Sequence, residues 1–242
     1  MSTVHEIRQN FATLYKRNKF VTDKSGVKTV EIVGANFIAN SPLIFGAVNN
    51  EYVNREIRWY EGQSLNVNDI PGGPPVIWKQ VADKDGFINS NYGWCIFSGE
   101  NNHQFANVVT ELEDRPDSRR ATMIYTRPEM WGDHNKNGRS DFMCTNTVQY
   151  LIRDNKVHAV VNMRSNDAWA GYRNDYAWQH YVLSMVTNKL NARGNAYTLG
   201  DIHWNAGSLH IYERQFYLID HYINTGETTI SKEDYDAKHN LA

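Results

Sequence analysis

The chain contains two cysteines, and the polarity of the residues around them differs. Cys95 lies in the apolar stretch Trp94-Cys95-Ile96-Phe97, which is typical of a small buried side chain. Cys144 is followed by Thr145-Asn146-Thr147, and a thiol at a polar position can ionise and attack an electron-poor carbon. No adjacent histidine could act as a protease-type base, which disfavours a cysteine hydrolase. Cys144 is therefore the candidate nucleophile, and a buried structural thiol is the alternative.

Arginine and serine occur together at two points, in Ser118-Arg119-Arg120 and in Arg164-Ser165. A guanidinium group binds phosphate oxygens with two parallel hydrogen bonds, and a serine adds a neutral donor. The recurrence of this pair favours a site for a small anion. Solvated surface arginines in weak ion pairs are the alternative.

The segment Asp133-His134-Asn135-Lys136-Asn137-Gly138 matches the first half of an EF-hand calcium loop. The twelfth position of such a loop should be glutamate, and here it is Cys144. Pro128 lies where the preceding helix should run. We therefore expect no metal site, and we predict a turn rich in glycine and asparagine that presents Cys144.

Composition limits the classes of function. The 242 residues are 41% hydrophobic with a net charge of −2, which indicates a globular protein without a broad basic face for nucleic acid. Two cysteines make no disulfide framework and favour a reducing cytosol. The polar segment 1–10 is unlike a signal peptide, and no apolar stretch is long enough to span a membrane. We expect a cytoplasmic protein that binds neither membranes nor nucleic acid directly.

The pattern predicts helices interleaved with long strands in one domain over residues 1–242. Thr3 and Glu6 form a potential capping box that begins a helix ending near Asn18. Ser41-Pro42 is expected to begin a long helix ending near Glu61, and segment 71–75 is expected to be a surface loop. The other predicted helices are 101–113, 174–191 and 214–222, and the predicted strands are 27–33, 121–126, 147–152, 157–163 and 201–212.

Taken in order from about Asp23 to Tyr212, these motifs resemble the thymidylate synthase superfamily. Cys144 matches the nucleophile of that family, with Gln149 behind it. Glu56, in Arg55-Glu56-Ile57-Arg58-Trp59, resembles the catalytic glutamate that organises water around the pyrimidine. The resemblance therefore implies a pyrimidine nucleotide as substrate.

The same resemblance implies the binding residues. Arg164 and Ser165 match the phosphate-binding pair, and Arg119 and Arg120 match arginines that reach the nucleotide of the partner subunit. Lys24, in Asp23-Lys24-Ser25-Gly26, lies in the segment that resembles the phosphate loop, where the family usually has arginine. His210 and Tyr212 match the pair that binds the sugar 3′-hydroxyl. Trp78 and Tyr92 lie in stretches that resemble the lining of the folate and base site. Asp167 matches the acid that contacts the folate pterin.

Three positions depart from the pattern of thymidylate synthases. Thr145 follows the nucleophile where those enzymes have histidine, and Asp175 replaces their base-reading asparagine. The tail 238–242 does not resemble their closing tail. The last two departures, with the segment 141–146, resemble the bacteriophage branch of the superfamily that hydroxymethylates deoxycytidylate.

Asp175 would select cytosine over uracil. Cytosine presents an N4 amino donor beside an N3 acceptor, whereas uracil presents an O4 acceptor beside an N3–H donor. A carboxyl group can accept from N4 and share a proton with N3, which requires a raised pKa or a protonated ring. On local sequence alone, Asp175 could instead be an acid in the first turn of a helix.

The resemblance implies an α+β fold, with a large mixed β-sheet flanked by helices and a homodimer formed through the sheet face. It implies 5-hydroxymethylation of dCMP with 5,10-methylenetetrahydrofolate as co-substrate, where Cys144 adds to C6 and water replaces hydride. One alternative is a hydroxymethylase for dUMP or CMP, or a thymidylate synthase. A second alternative is a non-catalytic regulator that binds nucleotides. A third is a protein-interaction module, which would need an exposed apolar patch including Trp131 and Trp169.

Overall fold

A computed structural model of the chain describes residues 1–23 and 25–240, and within these ranges it is an α+β protein. The strands are β1 Ser2–Thr3, β2 Val21–Thr22, β3 Lys28–Ile38, β4 Thr122–Ile124, β5 Thr145–Arg153, β6 Lys156–Asp167 and β7 Thr198–Tyr212. The α-helices are α1 Val4–Lys16, α2 Asn50–Glu61, α3 Val76–Val81, α4 Tyr92–Phe97, α5 Gln104–Asp114, α6 Met130–Asp133, α7 Ala170–Asn191, α8 Phe216–Thr225 and α9 Lys232–His239.

The strands form a mixed sheet in the order β1-β3-β7-β6-β5-β4, with β2 beside β3. β1 is parallel to β3, whereas β3 is antiparallel to β7 and β5 is antiparallel to β6. The mixed sheet and its flanking helices confirm the predicted α+β class. Among the described residues, no helix is long and apolar enough to cross a membrane.

The chain divides into two compact units, and each has its own core. The first unit comprises 1–48, 164–177 and 202–242, and the second comprises 49–163 and 178–201. In the first unit, α1 buries Val4, Ile7 and Phe11 against β3 and α8. In the second unit, α2, α4 and α5 pack in sequence, and α5 lies on β4. That residues 1–242 act as a single catalytic domain stays a prediction.

The predicted long helix from Ser41 is wrong in its first part, because α2 begins only at Asn50. Arg8 donates to the main-chain oxygens of Leu43 (2.8 Å) and Ile44 (2.7 Å), which are the acceptors that a helix there would need. The Asn49 side chain accepts from the Tyr52 amide and caps α2 instead. The capping box of Thr3 and Glu6 is confirmed, and 71–75 is a loop as predicted.

Helix α7 also begins earlier than predicted, at Ala170 rather than near Asn174. The Asp167 carboxylate accepts from the Trp169 amide (2.9 Å) just before the helix begins. Helices α3, α4, α6 and α9 were not predicted, and the first three are only four to six residues long. Short helices contain too little periodicity to be recognised from sequence.

Candidate active site

Glu56 lies on α2 in the second unit and is 6% exposed. Tyr52, one turn earlier on the same helix face, donates its hydroxyl to Glu56 Oε1 (2.6 Å). The Trp78 indole donates to the same oxygen (3.1 Å) and to the Tyr52 hydroxyl (2.9 Å). The structure therefore brings together Glu56 and Trp78, two of the residues predicted from sequence.

Burial raises the pKa of Glu56, and the hydrogen bonds from Tyr52, Trp78 and Tyr60 offset only part of this effect. Burial also raises the pKa of Tyr52, so its phenol remains protonated and available as a donor. A carboxyl group with a raised pKa can both donate and accept a proton during a reaction.

Tyr92 lies behind this cluster rather than at a surface, since it is only 5% exposed. Its ring stacks on Tyr60 at a centroid distance of 5.2 Å and meets Tyr125 edge to face at 5.4 Å. A Cβ atom at Gly93 would lie 1.8 Å from the Tyr60 carbonyl oxygen, so only glycine lets α4 approach α2 this closely. Tyr92 therefore supports Tyr60, which is itself hydrogen-bonded to Glu56.

Cys144 is half-buried and directly precedes β5. The segment before it is fixed by the buried Asp141 carboxylate, which accepts from the amides of Asn89 (2.6 Å) and Ser90 (2.8 Å) and from the Ser90 hydroxyl (2.7 Å). Arg139 adds bonds to Asn89 (2.7 Å) and Asp83 (3.0 Å). Three hydrogen bonds to one buried carboxylate set the position of the backbone that leads into the thiol.

A β-bulge follows the thiol, because the ladder pairs Thr145 with Met163 but already pairs Thr147 with Asn162. Asn146 is the extra residue, and its main-chain oxygen accepts from the Tyr125 amide (2.9 Å). The bulge explains why Thr145 and Val148, which an unbroken strand would place on opposite faces, are both fully buried. The segment 133–138 before it was predicted to be a turn, and it contains the last residue of α6, a turn and a short 3₁₀ helix over Lys136–Gly138.

Cys95 differs from Cys144 as the sequence indicated. It lies on α4 and is 1% exposed, and burial raises the pKa of its thiol to about 12 although Arg127 lies 4.0 Å away. A thiol with so high a pKa is protonated at neutral pH and is a poor nucleophile. Its role is structural.

The segment Ser118-Arg119-Arg120 also lies in the second unit. Arg120 binds Glu111 through Nε (3.1 Å) and Nη2 (2.9 Å), and Ser118 donates to the same carboxylate (2.5 Å). The Arg120 side chain is nevertheless 64% exposed. The Arg119 main-chain oxygen accepts from Gln149 (2.6 Å), and its side chain is exposed. Both guanidinium groups therefore lie at a surface.

In the first unit, Asp175 lies in the second turn of α7, so it is not the first-turn acid of the alternative interpretation. Its Oδ2 atom accepts from the side-chain amide of Asn166 (2.8 Å). Asn166 is 3% exposed, and its Oδ1 atom is buried without a hydrogen-bond partner among the described residues. Gly171 leaves room for this pair, since a Cβ atom there would lie 3.2 Å from Asn166 Nδ2.

Asp167 and His210 lie close together in the same unit. Burial raises the pKa of the Asp167 carboxyl, and amide hydrogen bonds and the charges of His210 and Arg214 offset part of that effect. The His210 main-chain oxygen accepts from the Ala168 amide (2.7 Å), and its ring meets Tyr212 edge to face at 5.1 Å. The sequence-predicted residues Asp167, His210 and Tyr212 thus form one cluster.

Arg164 and Ser165, the pair predicted to bind phosphate, lie near the end of β6, where Arg164 is exposed and Ser165 is half-buried. A Cβ atom at Gly207 would lie 2.9 Å from the Arg164 carbonyl oxygen, so the close approach of β7 to β6 at this point requires glycine. Lys24 lies outside the described residues. Its neighbour Asp23 accepts from the Ser25 amide (2.8 Å) and hydroxyl (2.6 Å).

Sequence reasoning missed the residues that hold the predicted ones in place. The missed residues are Tyr52, Asp141, Asn166, Ser208 and Glu31, and the Ser208 hydroxyl lies within hydrogen-bond distance of both Glu31 and His210. Tyr52 left a usable signal, because it lies four residues before Glu56 on a predicted helix. Asp141 and Glu31 bind partners 52 and 177 residues away, which a local pattern does not reveal.

A family model for thymidylate synthase matches residues 8–238. The chain belongs to the thymidylate synthase family. The structure is similar to the thermostable thymidylate synthase A from Bacillus subtilis, with a TM-score of 0.68 over 90% of this chain and 83% of that chain. The two sequences are 20% identical, so this likeness concerns the fold alone.

Curated relatives show which members of the family have sequences similar to this chain. The deoxycytidylate 5-hydroxymethyltransferase of Enterobacteria phage T4 is 59% identical over 239 residues, which cover 98% of this chain and 97% of that protein. The enzyme of the same name from Enterobacteria phage T6 is 59% identical over 96% of both chains. A thymidylate synthase from Francisella tularensis is 24% identical over 84% of this chain and 78% of that protein.

Proposed function

We propose that the protein is a deoxycytidylate 5-hydroxymethyltransferase. It converts dCMP, 5,10-methylenetetrahydrofolate and water to 5-hydroxymethyl-dCMP and tetrahydrofolate. The observation that carries this proposal is the near full-length similarity, at 59% identity, to phage enzymes of that name. We further propose that the reaction takes place in the cytoplasm of the host cell and provides modified precursors for phage DNA.

The Asp175–Asn166 pair supports recognition of cytosine. An ionised carboxylate only accepts hydrogen bonds, so the Asn166 amide must present its NH₂ group to Asp175. The other carboxyl oxygen would accept from the cytosine N4 amino group, and a proton shared between the carboxyl group and N3 would complete the pair with the N3 acceptor. The unpartnered Asn166 Oδ1 atom is a buried acceptor that a bound ligand or water would satisfy.

Cys144 is the proposed nucleophile. Its thiolate adds to C6 of the pyrimidine, and the electron pair displaced to C5 attacks the one-carbon unit that methylenetetrahydrofolate supplies. Loss of the C5 proton and departure of tetrahydrofolate leave an exocyclic methylene group. Water adds to that group, and the thiolate leaves C6. The hydrogen bonds to Asp141 support this role, because they hold the backbone before Cys144 in one position.

Glu56 is the proposed residue that positions the attacking water. The raised pKa of Glu56 favours a carboxyl group that exchanges a proton with a neighbour over one that stays ionised. The hydrogen bonds from Tyr52 and Trp78 hold that carboxyl group in place. Water delivered to the exocyclic methylene, in place of hydride, is the step that separates hydroxymethylation from methylation.

The remaining assignments follow the family pattern. Arg164, Ser165 and Lys24 would bind the phosphate, and His210 and Tyr212 would bind the sugar 3′-hydroxyl. The folate would contact Trp78 and Asp167, since a half-buried carboxyl with a raised pKa can donate to or accept from the pterin ring. Tyr92, buried against Tyr60, would shape the folate site from behind.

We propose that the enzyme is a homodimer in which Arg119 and Arg120 bind the phosphate of the partner's nucleotide. The ion pair between Arg120 and Glu111 lies at the surface, where such pairs contribute only about 0–1 kcal/mol, so exchanging Glu111 for a phosphate costs little. Val33, in the middle of β3, has 79% of its surface exposed, which a sheet-to-sheet interface would cover.

The test is a product assay with dCMP, dUMP and CMP, each with methylenetetrahydrofolate in H₂¹⁸O. We expect ¹⁸O in the hydroxymethyl group of the dCMP product and much slower turnover of the other nucleotides. A methylated product would indicate a thymidylate synthase, and fast turnover of dUMP or CMP would indicate a different base or sugar. Binding of nucleotide without turnover of any of the three would indicate a regulator.

A further inference from the structure

Three polar side chains of the first unit lie on one face of the β3–β7 ladder. Glu31 on β3 pairs directly with His210 on β7. Ser208 lies two residues before His210, and alternate residues of a strand share a face. The Ser208 oxygen lies 2.5 Å from Glu31 Oε1 and 3.1 Å from His210 Nδ1. The serine thus connects the carboxylate to the imidazole.

The direction of these two hydrogen bonds follows from the available protons. An ionised carboxylate has no proton to donate, so the Ser208 hydroxyl must donate its single proton to Glu31. Ser208 then has only lone pairs left, and it can interact with His210 only as an acceptor. Nδ1 of His210 must therefore carry a proton, and Nε2 of the neutral ring is an acceptor.

We propose that Glu31 and Ser208 are positioning residues that hold His210 in its Nδ1–H tautomer, so that Nε2 accepts a hydrogen bond from the substrate's sugar hydroxyl. The proposal rests on the proposed function, and it deepens the role of His210 there. A fixed acceptor at Nε2 selects for a nucleotide that carries a free 3′-hydroxyl donor. A nucleotide without that hydroxyl leaves the acceptor unpaired.

The tautomer is measured first, in the protein without any nucleotide. Ring ¹⁵N chemical shifts of labelled histidines are recorded at about pH 8.5, about two units above the ordinary histidine pKa, where the ring is neutral. His210 is assigned by the signals that disappear in His210→Gln. We expect a protonated Nδ1 and an unprotonated Nε2. An Nε2–H tautomer in the wild-type protein would overturn the proposal.

Glu31→Gln tests the direction of the hydrogen bonds that run from His210 through Ser208 to Glu31, with little change in side-chain size. A glutamine amide can donate to Ser208, which then donates to His210 Nδ1 and moves the ring proton to Nε2. We expect the ¹⁵N pattern to shift toward the Nε2–H tautomer in this variant. An unchanged pattern in a folded variant, verified by circular dichroism, would show that Glu31 does not set the tautomer.

The second measurement compares the binding of dCMP with that of 2′,3′-dideoxycytidine 5′-monophosphate by calorimetry, without folate. In the wild type we expect dCMP to bind about fivefold more tightly or better, since a net hydrogen bond contributes about 1 kcal/mol. In Ser208→Ala this preference should fall toward one, with little change for the dideoxynucleotide. Ser184→Ala is the matched control, because its hydroxyl donates to the His180 carbonyl (2.8 Å) within α7.

If the preference for dCMP over the dideoxynucleotide persists in Ser208→Ala, or is absent in the wild type, the proposed recognition of the 3′-hydroxyl by His210 is contradicted. Failure of dCMP to bind at all would instead contradict the proposed function. The tautomer measurement would still stand in that case, because it uses no ligand. The two failures are therefore distinguishable.

Discussion

Asp175→Asn exchanges one hydrogen-bonding pattern for another at constant size. In the wild type, Asp175 Oδ2 accepts from Asn166 Nδ2 at 2.8 Å. The new amide can keep this bond only with its oxygen toward Asn166, so its NH₂ group must occupy the position of Oδ1. An NH₂ group there donates to O4 of uracil but opposes the amino group of cytosine.

The size of the effect follows from the mispaired contact. A buried polar group left without a partner costs about 1–3 kcal/mol, which corresponds to about 5-fold to 150-fold in an equilibrium or rate ratio. We expect the dCMP:dUMP preference in kcat/KM to move by about tenfold or more toward dUMP. The effect should be larger on kcat/KM than on nucleotide binding alone, because the hydrogen bond that shares a proton with N3 becomes stronger as the thiolate attacks C6.

The assay is steady-state turnover of both nucleotides by the wild type, Asp175→Asn and Asp201→Asn. Asp201 is a matched control because its side chain is 61% exposed and its carboxylate lies 3.9 Å from His158 Nδ1. Thermal unfolding should change little in Asp175→Asn, since the bond to Asn166 is retained. If the folded variant keeps the wild-type dCMP:dUMP ratio, the Asp175 carboxyl does not contact the base and the reasoning is wrong.

Further predictions concern the nucleophile, the partner subunit and the buried acid. Cys144→Ser should abolish turnover but retain dCMP binding, while Cys95→Ser stays active; near-normal product from Cys144→Ser would exclude covalent catalysis. Mixing inactive Cys144→Ser with inactive Arg120→Ala should restore part of the activity in heterodimers, and inactive mixtures despite proven subunit exchange would contradict the cross-subunit role. Burial raises the pKa of Glu56, so its contribution to stability is complete below about pH 4.5 and is lost as the pH rises through the higher folded-state pKa. The free energy of unfolding of Glu56→Gln, measured with urea, should therefore not show this decrease as the pH rises. If the free energies of unfolding of the two proteins change in parallel with pH, the prediction is refuted.

Much of the candidate site followed from the order of motifs along the chain. The motif positions predicted roles for Glu56, Cys144 and His210, because family motifs keep short local spacings, and these roles stay predictions. The residues that orient them could not be found in this way. Ser208 and Glu31 are 177 positions apart and meet only because β3 pairs with β7 in one particular register. Strand pairing of this kind is set by the whole fold and leaves no local signal.

Two errors in the fold concern where helices begin. Ser41-Pro42 has the residue types that begin a helix, but Arg8, 33 residues earlier, binds Ser41 and takes the neighbouring carbonyl oxygens. Asn174 was expected to cap α7, whereas the helix already begins at Ala170. At Ser41 a tertiary contact outweighed a local preference of about 1 kcal/mol. At α7 a local contact, from the Trp169 amide to the Asp167 carboxylate, lies just before the earlier start of the helix.

The bulge at Asn146 has a consequence for how the chain tolerates changes in length. Cross-strand partners lie on the same face of a sheet, and the bulge keeps Thr145 opposite Met163 while Thr147 already lies opposite Asn162. Loss of Asn146 alone would leave both pairings in place and restore the regular alternation, so Thr145 would stay in the core. A deletion elsewhere in β5 would instead turn part of the strand to the opposite face. Length variation within this strand should therefore concentrate at the bulge.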